Sequence, residues 1–242
     1  MAHGECCAKM GQTRLQLKTT IRTNLDDNGV TFYSNDDLND SIQDAYDDVV
    51  CLTQCVPKIA DNLRWKPNLV YYNPISDLAI SDYLGIIAIF NYSSNRWLRD
   101  DLTLRDFDRI QRNWEVWKGT PQFWASSDPL HFAIAPTYGG TAVDGAFSSA
   151  FSSSFFISVS DLFATFKLVY YTQAPALSGD SSTFLIASDM QDLVEFYVTA
   201  DMLEQAQEFG KASDWWSKYY DHIETYASRV KRSNKHDLLL RV

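Results

Sequence analysis

The most regular hydrophobic pattern of the chain lies in the segment that follows Ser34. Apolar residues recur there at spacings of three and four, which places them on one face of an α-helix. Ser34 precedes the first of them and Asp37 follows three residues later, as is typical of a capped helix start. The pattern predicts a long amphipathic helix over residues 34–55. Its apolar face consists of Leu38, Ile42, Ala45, Val49, Leu52 and Val56.

The same helix carries a second stripe that is entirely acidic. Like charges one turn apart repel each other, so this face lowers helix stability unless another surface offsets it. A basic stripe of the same spacing lies on the preceding predicted helix, residues 13–25, and complementary faces of this kind fix the register of packed subunits. Two separately solvated faces explain the pattern equally well. The acidic stripe is Asp37, Asp40, Asp44 and Asp47, and the basic stripe is Arg14, Lys18 and Arg22.

The middle of the chain has short β-like runs separated by turn residues. One short helix is expected after Thr103, because Thr103 and Asp106 form a second capping box. After residue 188 the helical spacing returns, and a break near Phe209 and Gly210 predicts a helical hairpin. The strands are expected at residues 58–65, 69–72, 85–92, 96–98, 123–125, 131–135 and 163–172.

These patterns predict an α+β fold. A helical bundle forms from both chain ends, residues 1–56 and 188–232, and a mainly antiparallel β region with one short helix is inserted at residues 57–187. Residues 233–242 form a C-terminal arm that begins with a polar link and ends in leucines. Those leucines fold back onto the body or insert into another subunit, and insertion is the expectation because exposed apolar groups favour a partner.

Composition and charge narrow the range of functions. The chain has 242 residues, 45% of them apolar, which suffices for a substantial core. Its 31 acidic and 21 basic residues give a net charge of −10, which argues against a protein that grips nucleic-acid phosphates. No apolar run approaches the roughly 20 residues that span a bilayer, and signal-peptide features are absent. We therefore expect a cytosolic protein whose cysteines stay reduced.

Motifs that carry catalysis or metal binding are absent from the sequence. No Gly-rich phosphate loop, nucleophile elbow or zinc helix occurs. Asp26 and Asp27 precede Gly29 in a segment that lacks the spacing of a calcium loop, and a tight turn with a positive φ at Gly29 is the expectation. Trp114 and Trp117 are core anchors or a ligand platform, with the core favoured. No catalytic residue, cofactor or metal site is predicted. The scattered histidines and cysteines are His3, His131, His222, His236, Cys6, Cys7, Cys51 and Cys55.

Several short motifs follow one another in a characteristic order. They are Leu25-Asp26-Asp27, Phe32-Tyr33, the Ser34-led helix, Asn95-Arg96-Trp97-Leu98, Leu104 to Asp108, Trp114 to Pro121, Leu168-Val169-Tyr170-Tyr171 and Ala174-Pro175-Ala176-Leu177. This order, closed by a C-terminal helical hairpin, resembles the head-to-tail adaptor proteins of tailed bacteriophages, especially those of short-tailed phages. The resemblance covers residues 13–232, and the Ser/Phe-rich segment 146–156 is longer than the pattern.

The resemblance implies a structural virion protein without catalytic activity, made in the host bacterial cytoplasm and located in the virion neck. It implies a homo-oligomeric ring, expected as a dodecamer, beneath the portal protein. Such a ring extends the DNA channel without sequence-specific binding and offers tail or nozzle proteins a platform, with no cofactor and no membrane. By this analogy the two charged stripes lie at subunit contacts or on the channel face, and the C-terminal arm docks on the portal. The docking residues are Lys235, Leu238, Leu239, Leu240, Arg241 and Val242.

Other interpretations stay open at this point. Another neck or tail component, such as a stopper, has the same general character. A cytosolic carbohydrate-binding protein or small hydrolase would use Trp114 and Trp117 with nearby strands as a sugar platform. The missing catalytic motifs count against the hydrolase, and the binding protein requires these aromatic rings to be exposed.

Overall fold

The computed structural model describes residues 11–27, 32–128, 130–139 and 165–240, and it describes residues 230–240 by their backbone alone. Helices lie toward both ends of the chain, and antiparallel strands occupy the region between them. The α+β class that the sequence predicts is therefore confirmed.

Two compact units make up the chain. A helical unit combines residues 1–56 and 173–242, and a β unit spans residues 57–172. The helices are α1 (Arg14–Asn24), α2 (Asn35–Thr53), α3 (Pro74–Leu78), α4 (Leu104–Ile110), α5 (Gln191–Gln205) and α6 (Phe209–Leu240). The strands are β1 (Pro57–Arg64), β2 (Tyr71–Tyr72), β3 (Tyr83–Asn91), β4 (Arg96–Trp97), β5 (Lys118–Gly119), β6 (Phe123–Asp128), β7 (His131–Ala135), β8 (Thr137–Tyr138) and β9 (Thr165–Thr172).

Residues 173–187, which the sequence analysis placed in the inserted region, belong to the helical unit. The peptide N–H of Leu177 donates to Gln43 Oε1 at 2.9 Å, and the peptide N–H of Leu185 donates to the Tyr46 hydroxyl at 3.0 Å. Side chains of α2 therefore bind this segment. It has neither helical nor strand periodicity for a pattern search to detect, and long-range hydrogen bonds decide its place.

Side-chain caps set where the first two helices begin. Thr13 and Gln16 form a capping box at the start of α1. At the start of α2 the Ser34 hydroxyl accepts the peptide N–H of Asp37 at 3.1 Å, which confirms the predicted cap. The second helix ends where Gln54 adopts a left-handed conformation with a φ of 51°.

The apolar stripe of α2 packs into the core of the helical unit. Leu38, Ile42 and Val49 are fully buried, as the spacing predicts. Leu52, which belongs to the same predicted stripe, is exposed near the end of the helix. Burying one aliphatic side chain of this size contributes about 1.5 to 3 kcal/mol. This face is therefore the main force that holds α2 in place.

The predicted helical hairpin is present as α5 and α6, which are separated by residues 206–208. α6 is longer than the sequence analysis expected, because its backbone stays helical through Leu240. The predicted end near residue 232 and the predicted polar link at residues 233–235 are therefore wrong. That link contains neither Pro nor Gly, so nothing in it interrupts the backbone hydrogen bonds of the helix.

The strands of the β unit form two antiparallel sheets within the described residues. One has the order β1-β9-β3-β4 and the other the order β2-β7-β6, while β5 and β8 pair in parallel. Each predicted strand is present, although the run at 69–72 pairs only at Tyr71 and Tyr72. The Gly-, Ser- and Ala-rich residues 138–160, for which the sequence favours a long loop or an extended hairpin, lie outside the described residues from residue 140 onward, and so does the Ser/Phe-rich segment 146–156.

Aromatic rings dominate the core of the β unit. Trp65 stacks on Phe166 with ring centroids 3.8 Å apart, and Tyr72 stacks on Phe132 at 5.3 Å. Such pairs contribute about 0.5 to 1.5 kcal/mol beyond the area they bury. α4 begins at the predicted capping box of Thr103. The high aromatic content of the chain is thus used here mainly for packing.

Candidate functional site

The basic stripe of α1 is used inside the helical unit. Lys18 is buried and its Nζ forms an ion pair with the Asp180 carboxylate. Arg14 Nε lies 3.5 Å from the same carboxylate, and Arg14 Nη1 donates to the Leu177 carbonyl at 2.9 Å. The hydrogen bond from Lys18 is the main reason that the pKa of Asp180 lies below its ordinary value. These two cations therefore hold residues 177–180 against α1.

Arg22, the third residue of the basic stripe, belongs to a buried ion pair. Its Nη1 lies 2.6 Å from Asp27 Oδ2, and only 7% of Arg22 and 2% of Asp27 are exposed. Arg22 Nη2 also donates to the Tyr33 carbonyl at 3.1 Å and to Asn35 Oδ1 at 3.0 Å. The pair joins the end of α1 to the start of α2. The sequence analysis offered two interpretations of the basic stripe, a solvated face and a face that binds the acidic stripe of another subunit. Neither fits, because the cations of the basic stripe are engaged within their own subunit.

The acidic stripe of α2, in contrast, lies on the surface. All of its carboxylates are exposed, and none forms an ion pair within the residues that the structure describes. Partial burial raises the pKa of Asp47, and the neighbouring Asp44 carboxylate adds to this rise. Asp48, one position further, turns away from the stripe and accepts the hydroxyl of Tyr219. The stripe consists of Asp37, Asp40, Asp44 and Asp47.

The turn between α5 and α6 carries a shallow cleft with aromatic walls, which we call the aromatic cleft. Phe209 and Tyr220 are 64% and 62% exposed. Trp216 lies beside Tyr220, with ring centroids 5.8 Å apart and ring planes 23° apart. A carboxylate from the end of α5 completes the lining. The residues of the aromatic cleft are Glu204, Phe209, Ser213, Trp216 and Tyr220.

Helical spacing along the second helix of the hairpin groups Trp216 with Tyr219 and Ile223 on one packed face, and for this reason the sequence does not predict the cleft. That helix does bury Tyr219 and Ile223, as the spacing predicts. The missed signal is the pair of adjacent aromatic dipeptides, residues 215–216 and 219–220. Adjacent positions are 100° apart around a helix, so one face cannot bury both members of such a pair.

The residues predicted to dock on the portal belong to the last turns of α6 or lie beyond the described residues. Arg229 Nη1 is 3.2 Å from Asp189 Oδ2, which places Arg229 level with the segment just before α5. From there residues 230–240, which we call the α6 extension, continue for about 16 Å at the rise of an α-helix. The extension contains Lys235, Leu238, Leu239 and Leu240, whereas Arg241 and Val242 lie outside the described residues.

His131 and Trp114, two of the residues considered for catalysis or ligand binding, take structural roles. His131 Nδ1 lies 2.9 Å from Asp128 Oδ1, and His131 Nε2 lies 3.1 Å from Asn73 Nδ2. The Asn73 side-chain oxygen caps α3, so its amide nitrogen faces the ring, and the histidine links α3 to β7. Trp114 is 3% exposed and packs on Phe107 at 5.0 Å, which removes it from any ligand platform.

Two further findings concern metals and membranes. Among the described residues, no group of His, Cys, Asp and Glu is arranged to hold a metal ion. Cys51 is exposed and Cys55 is partly buried, and both are free thiols. No helix in the described ranges combines the length and the apolar character needed to cross a membrane.

The turn after α1 differs from the expected one. Its positive φ, 55°, falls on Asp26, and Gly29, where the sequence predicts the positive φ, lies outside the described residues.

Comparison with known proteins adds a finding that concerns the whole chain. The sequence model of a family described as SU10 adaptor protein matches residues 12–237. The match begins just before α1 and ends within the α6 extension, so it includes residues of both units. No curated protein matches the chain.

Proposed function

The chain belongs to the SU10 adaptor protein family, and from this premise we propose that copies of it form a ring, expected as a dodecamer, beneath the portal of a phage capsid. As a member, it is a structural head-to-tail adaptor of a tailed bacteriophage. The proposed ring lies in the virion neck, extends the DNA channel and gives tail or nozzle proteins their attachment platform. The family match over residues 12–237 is the observation that carries this proposal.

The α6 extension is the proposed portal-docking arm. Its backbone continues past the contact between Arg229 and Asp189, and its sequence ends in three consecutive leucines. Burying a leucine against a partner contributes about 1.5 to 3 kcal/mol, so these residues can anchor the arm. Residues 235–242 are the docking arm in this proposal, and their described part, residues 235–240, is helical rather than a tail behind a polar link.

The acidic stripe of α2 is the second proposed assembly surface. Its carboxylates repel one another and make no ion pair in the described part of the chain, so no cation of the subunit offsets this repulsion. In the ring they serve as a neighbour contact or as channel wall. A net charge of −10 suits a wall along which DNA slides without being held. The basic stripe has no part in this proposal, because its cations are used within the subunit.

The ring is tested by native mass measurement of the full chain mixed with the portal protein of the same phage. Twelve copies on each portal ring are expected. Binding as single copies, or no binding, would overturn the proposed function.

The docking arm is tested by deleting residues 238–242. In this proposal the leucines bind the portal and not the subunit, so the isolated chain should keep its thermal unfolding midpoint, while assembly on the portal should be lost or strongly weakened. The variant Leu185→Ser is the matched control, because it removes a leucine that is exposed elsewhere on the subunit. This variant should assemble normally. Unchanged portal binding after the deletion would show that these residues are not the docking arm.

A further inference from the structure

The aromatic cleft has the chemistry of a receptor for a guanidinium group. Phe209 and Tyr220 are both more than half exposed, and the face of an aromatic ring carries the negative end of its quadrupole. Glu204 adds a carboxylate that can accept hydrogen bonds from a planar donor. An arginine side chain uses both features at once, because it stacks on a ring and binds a carboxylate in the same plane.

Carboxylates behind the cleft make its surroundings negative. Tyr197 packs on Trp216 with ring centroids 5.0 Å apart. Burial is the main reason that the pKa of Tyr197 is raised, and the carboxylates of Asp48, Asp201 and Asp44 add to the rise in that order. The nearby cation Lys211 is engaged with Glu208. A cation that fills the cleft must therefore come from elsewhere.

A neighbouring tryptophan of α6 is already in contact with a cation. Lys218 Nζ lies 3.8 Å from the ring centroid of Trp215, next in sequence to the cleft residue Trp216. The contact is local, from one turn of α6 to the previous one, and it leaves the rings of the cleft free. The cleft thus offers to an outside cation the interaction that α6 already makes with its own lysine.

A matching surface exists on the β unit, at α4 and the residues that follow it. Arg105, Arg109 and Arg112 are all exposed there, and Ile110 and Val116 expose apolar side chains beside them. We call this surface the arginine face. Arg109 makes an exposed ion pair with Asp106, while the other two arginines form no ion pair within the described ranges. Asp108 and Glu115 line the same surface as Arg112, so the face has no net positive charge. What it offers a partner is guanidinium groups that form an ion pair with no described carboxylate, beside exposed apolar area, as interface hot spots do.

We propose that the arginine face of one copy docks in the aromatic cleft of the next copy in the ring. This inference rests on the proposed function, since it names the contact that joins neighbouring subunits. The two surfaces differ, so the contact is head-to-tail, and a head-to-tail contact repeated by rotation closes into a ring. Pairing of the guanidinium groups of Arg105 and Arg112 with Glu204 sets the orientation, and the aromatic and aliphatic side chains supply the buried area.

A charge exchange tests the contact. Glu204→Arg places a cation in the cleft, and the double variant Arg105→Glu and Arg112→Glu places carboxylates on the arginine face. Each variant alone sets like charges against each other at every contact, so the concentration for half-maximal ring formation should rise about tenfold or more. An equimolar mixture should form rings again, because alternating copies in an even-numbered ring match at every contact.

Controls separate folding and general charge from the contact itself. Glu224→Arg matches the single charge reversal, and the double variant Arg64→Glu with Arg96→Glu matches the double reversal; all three positions are exposed and outside both surfaces, and both controls should assemble like the unmodified chain. Thermal unfolding of every variant should stay unchanged, since all of these side chains are exposed or line a shallow surface. Ring formation is measured by native mass spectrometry with and without the portal protein.

The outcomes distinguish the inference from the proposed function. If the unmodified chain forms no ring under either condition, the proposed function fails and the contact fails with it. If the unmodified chain forms rings and both variants do so at the same concentration, the ring stands and the contact is wrong. Impaired variants whose mixture does not assemble also overturn the contact, because the two surfaces would then not meet between copies.

Discussion

The basic stripe of α1 and the acidic stripe of α2 follow the same sequence rule, but their environments in the folded subunit are opposite. Each repeats one sign of charge at helical spacing. The cations of α1 are engaged within the subunit, by Asp180 and Asp27, and two of them are buried. The carboxylates of α2 stay on the surface. Periodicity therefore locates a charged face on its helix, but it does not tell whether that face looks inward or outward.

The difference arises from the partners, which lie outside the helix itself. The guanidinium of Arg14 reaches the Leu177 carbonyl, 163 positions along the chain. Residues 177–180 bring an acceptor and a carboxylate to α1, whereas no described residue brings a cation to the acidic stripe of α2. A buried charge requires such a partner, and an exposed one does not, because water solvates it.

The largest change in stability is expected at the buried ion pair between Arg22 and Asp27. Asp27→Ala leaves the Arg22 guanidinium buried without its carboxylate, and the free energy of unfolding should fall by about 3 to 5 kcal/mol. The exposed Asp40→Ala is the matched control and should change it by less than about 0.5 kcal/mol. Urea unfolding followed by circular dichroism measures both. Similar losses for the two variants would mean that the two faces do not differ as the structure indicates.

The ion pair with Asp180 predicts a dependence on pH. The pKa of this carboxyl is held below its ordinary value of 3.8, so its stabilising effect is fully present above that value and is lost as the pH falls through the lower, folded-state pKa. The gap in urea midpoint between the unmodified chain and Asp180→Asn should therefore narrow from about pH 6 to about pH 3. In a Lys18→Met background the gap should depend less on pH. A gap that stays constant in the unmodified background would contradict the assignment.

The smallest effect on stability is expected at the acidic stripe. Reversing Asp40 and Asp44 to lysine should change the free energy of unfolding by no more than about 0.5 kcal/mol, because both side chains are exposed. Ring formation should be perturbed far more than stability. Asp214→Lys with Asp221→Lys makes the same charge change at exposed positions of α6 and serves as the control. Unchanged ring formation in the first variant would remove the stripe from the assembly surfaces.

Much of the fold follows from local patterns. The start of α2 at Ser34 and that of α4 at Thr103 depend on caps that span only three residues, and both are confirmed. The apolar stripe through Leu38 and Ile42 is buried as its spacing predicts. Such features are set by interactions within one or two helical turns, which a single sequence contains in full.

The candidate surfaces were harder to predict, for a common reason. The sequence shows that Trp216 and Tyr220 lie one turn apart, but their shared cleft also needs Glu204 from α5 and the turn at Phe209. The placement of residues 173–187 likewise depends on hydrogen bonds to α2. These arrangements join residues that no short-range pattern connects.

The sequence by itself determined the α+β class, the caps, the apolar faces and the adaptor family, because each depends on local spacing or on the order of motifs along the chain. Tertiary structure alone decided which charged side chains form ion pairs within the subunit and which stay exposed. Exposure and pairing are properties of a packed surface, and that surface is built from segments far apart in sequence. The acidic stripe and the basic stripe look alike along the chain, and only folding makes one of them part of the core.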